Sequence, residues 1–496
     1  MWLSRRWLTL AIVSSALFLI VIDMSVLYTA LPALTRELQA GITEKLWIVN
    51  AYPLVVAGLL PPMGALGDRF GHRRMFLSGL LVFGMASVLA ALSPSAGWLI
   101  AWRVLLALGA AMMMPATLAL IRTTFTDPQE RSLAIGIWAS VAGGGAAAGP
   151  VVGGILLEYF WWGSVFLINV PVVLAAGAAG LRYIPAVRGN PEQGFELLSA
   201  LQILTGLTAL IFAIKELSGR DPSLAVIMLA GLLGIVLIAA FIRRQRYLPM
   251  PVVDFALFRH PRFSAGMLAA LVASASLAGM ELVITQRLQL VLGLSPLQAG
   301  LHLLPYPLAA LIAAPLAGLV APKLRLERVL PLSLLIAALA ALVSACSLTQ
   351  PVAWQLLVLG LLGFGLGASM TLASTAVMFS APAEQAGMAA SLEEVSYELG
   401  GSLGIALLGS LMSAVYIASF ALPSPVGVPA AALESIDTVL MLADSLPEDV
   451  AQILQQAAHS AFDRAVQMVL LTGSGLLLMA AVAVVLLLRR QQPLAE

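Results

Sequence analysis

Five carboxylates stand inside long apolar runs of this sequence: Asp23, Glu281, Glu393, Glu394 and Glu398. A charge at the centre of a membrane-spanning helix costs about 2.5–3.5 kcal/mol on insertion scales, so such residues usually face a wet cavity and bind ions or protons. Glu394 and Glu398 are four residues apart and share a helix face, whereas Glu393 points about 100° away from Glu394. Carboxylates so placed suit exchange of protons for a cationic solute. Other chemistries lack their residues. No Gly-x-x-x-x-Gly-Lys-Ser/Thr loop exists, so ATP is not used through a P-loop of this chain. The four histidines are scattered without metal-ligand spacing, and the single cysteine, Cys346, precludes an intrachain disulfide. No nucleophile–base pair is recognisable. An enzyme is therefore not expected, and neither is a cofactor; the energy source expected is a proton gradient.

These acids need helices around them, and the composition supplies them. Of 496 residues 60% are hydrophobic and 10% charged, against about 25% charged in soluble domains. The chain reads as an all-α polytopic membrane protein. A net charge of +1 gives no reason to expect a nucleic-acid partner. Apolar runs occupy about 7–31, 45–66, 75–93, 98–121, 132–157, 163–183, 197–218, 222–242, 263–292, 297–321, 329–348, 352–379, 387–419 and 465–488, about fourteen spans of bilayer length. The first is too long for a signal-peptide core and reads as a retained helix. With both termini cytoplasmic, the outer segments hold only Arg36, Lys45, Lys215, Arg220, Arg287 and Arg464. Arg103 lies within a span, and the other nineteen of the 26 basic residues fall inside, as the positive-inside rule requires.

A weak internal repeat divides the chain. Shifted by 254 residues, Gly64, Arg69 and Arg74 fall on Gly318, Lys323 and Arg328; shifted by 255, Gly145, Gly149 and Gly154 fall on Gly400, Gly404 and Gly409. Parallel repeats of this kind build transporters from two related halves. The domains expected are an N-terminal six-helix bundle over 1–183, an inserted helix pair with its linkers over 184–262, and a C-terminal six-helix bundle over 263–496. The same shift carries Asp23 to within one turn of Glu281, which places an acid from the first helix of each half toward one cavity. An outer loop over 421–463 is rich in acids (Glu434, Asp437, Asp444, Glu448, Asp449 and Asp463) and carries a capping-box spacing at Ser445–Glu448 that predicts a helical hairpin outside the membrane. Such a lobe either concentrates cations or is simply an outer loop poor in bases.

Between the second and third runs stands Gly64-Ala65-Leu66-Gly67-Asp68-Arg69-Phe70-Gly71-His72-Arg73-Arg74. Gly64 and Gly67 permit close packing, Gly71 permits a turn, and Asp68 sits where a cation or a helix N-terminus can meet it. The stretch resembles the loop between the second and third helices of the major facilitator superfamily. There the aspartate makes charge contacts that favour one access state, a role the resemblance carries to Asp68, Arg69 and Arg73. The fifth run holds Gly145-x-x-x-Gly149-Pro150-x-x-Gly153-Gly154. Read by itself, this means close helix packing and a kink. It is also similar in full to that family's antiporter motif.

Further matches point to one branch. Ile22–Val26 with Ala30-Leu31-Pro32, Phe166–Pro171, and Gly293–Gly300 with Leu304-Pro305 look like the fourteen-helix drug:proton antiporters. The chain resembles pumps of the SmvA type, which export methyl viologen and biocides, and more distantly the QacA type. Arg103 resembles the start of the family's fourth-helix motif, but Leu106 and Ala107 replace the usual Gln and Gly. Arg103 is thus either a proton-relay residue or a side chain that snorkels to the outer interface. Tyr28 is either a substrate contact, since aromatic faces attract cations, or ordinary packing.

The resemblance implies a major facilitator fold, two six-helix bundles plus an inserted pair, in a bacterial-type inner membrane. It implies proton-coupled efflux of lipophilic cations: quaternary ammoniums, dyes, methyl viologen and bisbiguanides. Asp23, Glu398 and Arg103 are then proton-coupling residues. Glu393, Glu394, Glu281 and Tyr28 contact substrate, and Asp68, Arg69, Arg73, Gly64 and Gly67 form the gate. The expected partners are lipophilic cations, protons and the bilayer, with the chain a monomer. Export of an endogenous metabolite on the same scaffold, or a sensor that does not transport, are the alternatives.

Overall fold

A computed structural model describes residues 2–40, 42–186, 189–190, 197–217, 223–248, 251, 253–294, 296–420, 436–443 and 446–489. Arg188, Arg490, Glu434, Asp444 and Ser445 lie outside the described residues, as do the side chains of Tyr28, Pro150 and Asp437. The N-terminal half runs α1 (Trp2–Glu37), α2 (Ile42–Phe70), α3 (His72–Ala91), α4 (Ala96–Thr124), α5 (Pro128–Tyr159), α6 (Ser164–Leu167) and α7 (Asn169–Tyr183). The pair α8 (Leu197–Leu217) and α9 (Leu224–Gln245) follows. Then come α10 (Pro261–Leu290), α11 (Pro296–Leu303), α12 (Pro305–Val320), α13 (Leu326–Cys346), α14 (Val352–Ser380), α15 (Ala386–Ser419), α16 (Ile436–Ala443) and α17 (Glu448–Arg489). No strand occurs among the described residues.

Among those residues twelve helices are long and apolar enough to cross a membrane. The described apolar part of α8, Leu198–Ile214, is shorter. The helix α5, at 32 residues, contains side chains outside the description. The second helical segment of the outer loop does not form a separate hairpin arm. It continues without a break into the last span as the 42-residue α17, and α16 packs on it. Buried Arg287 fastens this extension: its Nε donates to Asp463 Oδ1 at 2.7 Å and its guanidinium to Leu348 O at 3.0 Å.

Two spans break where a proline demands it. Pro171 has no N–H for the carbonyl of Leu167, and α6 ends at Leu167; Pro307 has none for Leu303, and α11 ends at Leu303. Both breaks start a fresh helix with a polar residue in its first turn, Asn169 and Tyr306.

Glycine crossings relate the halves in the way the repeat foretells. A Cβ on Gly145 would lie 3.2 Å from the Val21 side chain and one on Gly149 1.9 Å from Ser25 Oγ, so α5 lies on α1. One on Gly400 would lie 2.3 Å from Leu271 O and one on Gly404 2.0 Å from Ala275 O, so α15 lies on α10 in the same manner. Between the halves, Gly64 of α2 meets Gly387 of α15, and Gly318 of α12 meets Ser132 of α5, at 2.5 and 2.3 Å by the same construction.

Inter-half contact fades along α5. A Cβ would lie 2.4 Å from Ala314 O at Gly136, 4.0 Å from Pro307 O at Gly143, and within 4 Å of nothing at Gly154. The halves therefore close at the end that carries Asp68 and part at the other. Gly404→Ala drives a methyl into backbone and should destabilise the protein by about 1–3 kcal/mol. Gly475→Ala, with open space at that position, should be neutral or slightly stabilising. Thermal unfolding of the two purified variants checks the contrast.

Candidate functional site

Three groups of polar side chains interrupt the apolar interior. The first lies within the N-terminal half. Asp23 of α1 is 3% exposed and Arg103 of α4 is 1% exposed. Their closest approach, Arg103 Nη1 to Asp23 Oδ2, is 3.6 Å. Asn169, set in the first turn of α7 by the break before it, donates to Asp23 Oδ1 at 2.9 Å and to Ser87 Oγ of α3 at 3.2 Å. The Arg103 guanidinium lies over the ring of Tyr52 of α2, 5.1 Å from its centroid. All five residues are buried. Of the two readings of Arg103, snorkelling is therefore excluded: the side chain turns inward to an acid. A buried pair of this kind loses more by removal of one partner than it gains over an apolar pair, because the remaining charge is left uncompensated.

The second group lies on α15. Glu393 Oε1 accepts from Tyr397 Oη at 2.9 Å and from Ser374 Oγ of α14, while Glu393 Oε2 is buried without a hydrogen-bond partner. Glu394 is 5% exposed and lies within electrostatic reach of Glu393 and Glu398. Glu398, in turn, is within reach of Tyr52. Contact of α15 with α2 and α4 brings the two groups to one seam between the halves. Glu281 is not part of either. It is exposed on α10, and Tyr306, in the first turn of α12, lies within its electrostatic reach. Tyr28 lies in α1 with its side chain outside the described residues.

The third group is at the closed end. Asp68 is buried, and its carboxylate accepts from Gly387 N at 2.9 Å and from Met388 N at 3.0 Å, the first amides of α15. Gln385, the residue that precedes this helix, makes no side-chain cap. Asp68 thus caps, from one half, a helix of the other. The corresponding helix of the first half, α5, is capped by its own Asp127, which accepts from Gln129 N and Glu130 N. His72 Nε2 stands 3.2 Å from Asp68 Oδ1. Gly64 admits the backbone of α15, Gly67 admits the His72 ring, and Gly71 takes φ 97° to separate α2 from α3. Arg69 and Arg73, to which the resemblance extends the gating role, make other contacts: Arg69 lies over Phe70 and Arg73 donates to Leu181 O at 2.5 Å. Arg122 of α4 adds a second strut across the halves, donating to Ala381 O.

Gly145 and Gly149 meet α1 at Val21 and Ser25, two residues to either side of Asp23 in the chain and turned away from its face. Gly153 is buried, Gly154 exposed, and the Pro150 side chain lies outside the described residues. Sequence reading found the acids but not their partners. Asn169, Ser87, Tyr52, Tyr397, Ser374 and His72 were missed. The available signal was weak: a polar residue in an apolar run, which for Ser, Tyr and Asn is common.

The trans cap predicts a measurable bias. Asp68→Ala removes an N-cap interaction of about 1 kcal/mol, about a fivefold shift toward separation of α2 from the start of α15. In a Cys346→Ser background, a cysteine introduced at Ala65, which is 3% exposed here, should be labelled faster by a membrane-impermeant maleimide from the gate side when Asp68 is replaced.

Comparison with known proteins places this architecture. The profile described as Major Facilitator Superfamily matches residues 13–405 and again 263–488. The methyl viologen resistance protein SmvA of Salmonella typhimurium is 41% identical over 480 residues, covering 96% of this chain and 97% of the relative. The multidrug efflux pump LfrA of Mycolicibacterium smegmatis is 38% identical over 483 residues, covering 96% and 95%. The tetracenomycin C resistance and export protein of Streptomyces glaucescens is 33% identical over 489 residues, covering 96% and 90%. The crystal structure of the human organic anion transporter MFSD10 (TETRAN) superposes with a TM-score of 0.64 over 97% of this chain and 99% of that one. At 15% identity that likeness speaks for the fold alone. With a profile match over most of its length and these relatives along nearly all of it, the chain belongs to the major facilitator superfamily, as a multi-pass plasma-membrane protein of a transporter family.

Proposed function

We infer that the chain is a proton-coupled efflux antiporter of lipophilic cations, including quaternary ammoniums, dyes, methyl viologen and bisbiguanides. The observation that carries this reading is the row of acids at the seam: buried Asp23 held by Asn169 and facing Arg103, then half-buried Glu398 and buried Glu394 and Glu393 on α15. Acids gathered inside an apolar membrane protein suit cationic cargo and proton exchange. The names of the SmvA and LfrA relatives, methyl viologen resistance and multidrug efflux, support the substrate class.

The mechanism follows from competition for these carboxylates. A cation entering from the cytoplasm displaces protons from the α15 acids; protons entering from outside neutralise them and release the cation. Asp23 is the coupling acid. Protonation of Asp23 removes the negative partner of Arg103, whose charge then falls on Tyr52 and the Glu398 side of the seam, and so connects proton binding in one half to the acids of the other. Asp68 caps α15 while the cytoplasmic end is closed and lets go when it opens. In this reading α5 and α8 complete fourteen spans, both termini are cytoplasmic, the α8–α9 pair stands beside two six-helix bundles, the chain works as a monomer, and no cofactor takes part.

The test uses proteoliposomes with a pH-sensitive dye inside. Under an imposed proton gradient, methyl viologen or ethidium should evoke proton flux through the wild type and none through Asp23→Asn. Asp23→Asn/Arg103→Gln removes the uncompensated charge, so it should recover much of the thermal stability lost by the single variant, by about 3 kcal/mol, without recovering flux. Flux in Asp23→Asn equal to wild type at equal insertion would overturn the coupling assignment; absence of flux in the wild type would overturn cation antiport.

A further inference from the structure

The α8–α9 pair carries a cavity of about 480 Å³ that the transport reading does not use. Gln202 of α8 lines one side; Ala240, Arg243 and Arg244 at the end of α9, with Tyr247 and Leu248 just beyond it, line the other. Among the described residues two arginines line this space and no acid does. Arg243 is exposed, Arg244 half-buried and Tyr247 80% exposed. Gln202 Oε1 is buried and has no hydrogen-bond partner. It is an acceptor for which the protein supplies no donor, and a buried acceptor of that kind is costly unless something else satisfies it.

The surroundings say which end of the membrane this is and what continues from it. Beyond α9, Val253 N donates to Gln245 Oε1 at 3.4 Å, and Asp254 N lies 3.1 Å from the sulfur of Met388. Met388 is the residue whose amide holds Asp68. The cavity therefore opens at the face of the membrane that carries the gate. Away from that face the two helices present apolar side chains outward: Leu201, next to Gln202, is 48% exposed, and Val236, one turn before Ala240, is 54% exposed. Leu232 and Leu229 extend the strip at 62% and 72%.

A phosphodiester matches paired guanidiniums. A hydroxyl on the same headgroup matches Gln202 Oε1, the amphipathic ring of Tyr247 suits the interface, and acyl chains match the strip from Leu201 and Val236. Basic pockets between spans at the cytoplasmic face bind anionic headgroups in this manner. The positive-inside rule accounts for the arginines, but for neither the cavity nor the unsatisfied Gln202. We propose that this cavity is a binding site for the headgroup of an anionic, hydroxyl-bearing phospholipid, of the phosphatidylglycerol kind, from the gate-side leaflet. A soluble phosphate ester shares the headgroup chemistry but leaves the apolar strip uncovered. The site has a route to the gate helix: a Cβ on Gly58 of α2 would lie 2.6 Å from Leu204, and Thr208 Oγ1 donates to Leu54 O at 3.4 Å. A lipid that fixes α8 on α9 thus fixes α8 against the helix that ends in Asp68.

Native mass spectrometry and thermal unfolding of the purified full-length protein test this, with phosphatidylglycerol, phosphatidylcholine, phosphatidic acid, glycerol 3-phosphate and inorganic phosphate as probes. Phosphatidylglycerol should be retained and should raise the unfolding temperature, phosphatidylcholine should do neither, and millimolar glycerol 3-phosphate should fail to displace the lipid. Arg243→Gln/Arg244→Gln should weaken retention about 25-fold, from about fivefold for each arginine. Gln202→Leu, which keeps the arginines, should leave phosphatidic acid binding unchanged and reduce the advantage of phosphatidylglycerol over it. Equal retention by the folded, monodisperse double-arginine variant would overturn the site. Displacement by glycerol 3-phosphate or inorganic phosphate would overturn the lipid in favour of a soluble ester, and an unchanged preference in Gln202→Leu would overturn the hydroxyl contact.

Discussion

A carboxylate of one half capping a helix of the other is the interaction on which this arrangement depends. The first amides of α15 have no acceptor within their own helix and no side-chain cap from Gln385. Asp68 accepts from two of them across the interface. Because the partner is a helix end rather than a side chain, the contact is directional and sensitive to register: it forms only when α2 and α15 cross at Gly64 and Gly387, where backbones touch. Joining the halves at this end and capping α15 therefore go together. The pseudo-equivalent helix α5 carries its own cap in Asp127, and position 322 is a proline where the first half has Asp68. The two-fold likeness of the halves thus does not extend to the way these two helix ends are capped.

The same helix, α15, carries the acids. Its gate end is fixed by Asp68, and one to three turns further along come Glu393, Glu394 and Glu398. Any movement that frees the cap also moves these carboxylates relative to Tyr52 and Arg103 in the other half. One helix therefore carries both the capped end and the acids. The glycine surfaces at Gly400 and Gly404, which seat α15 on the backbone of α10, make that helix move with its own half.

Buried polarity is organised by breaks in apolar helices. Pro171 and Pro307 end α6 and α11 four residues before themselves, and the restarted helices bring Asn169 and Tyr306 inward. Asn169 then fixes one oxygen of Asp23 and leaves the other facing Arg103 at 3.6 Å. The aspartate thus accepts from a neutral amide on one side and faces a cation on the other without forming a bidentate pair.

Much of this was legible before any fold was known, for physical reasons. The cost of charge in hydrocarbon singled out Asp23, Glu393, Glu394 and Glu398 from apolar runs. Backbone proximity marked Gly64, Gly145, Gly149, Gly400 and Gly404, because only glycine fits where helices touch. Partners were another matter. A helix shows three or more faces, and periodicity in a uniformly apolar span does not say which neighbour each face meets. That Arg103 turns inward to Asp23, that of a cation or a helix end it is the amides of α15 that meet Asp68, and that Glu281 stands apart from Asp23 depend on how the described helices pack. So do the contacts of Tyr52, Asn169 and Tyr397, whose polar atoms count for little in sequence and for much once buried. The sequence by itself determined which residues carry charge into the membrane and where helices approach closely; only the tertiary structure decided which of them meet, since those meetings join segments up to 320 residues apart that no local pattern connects.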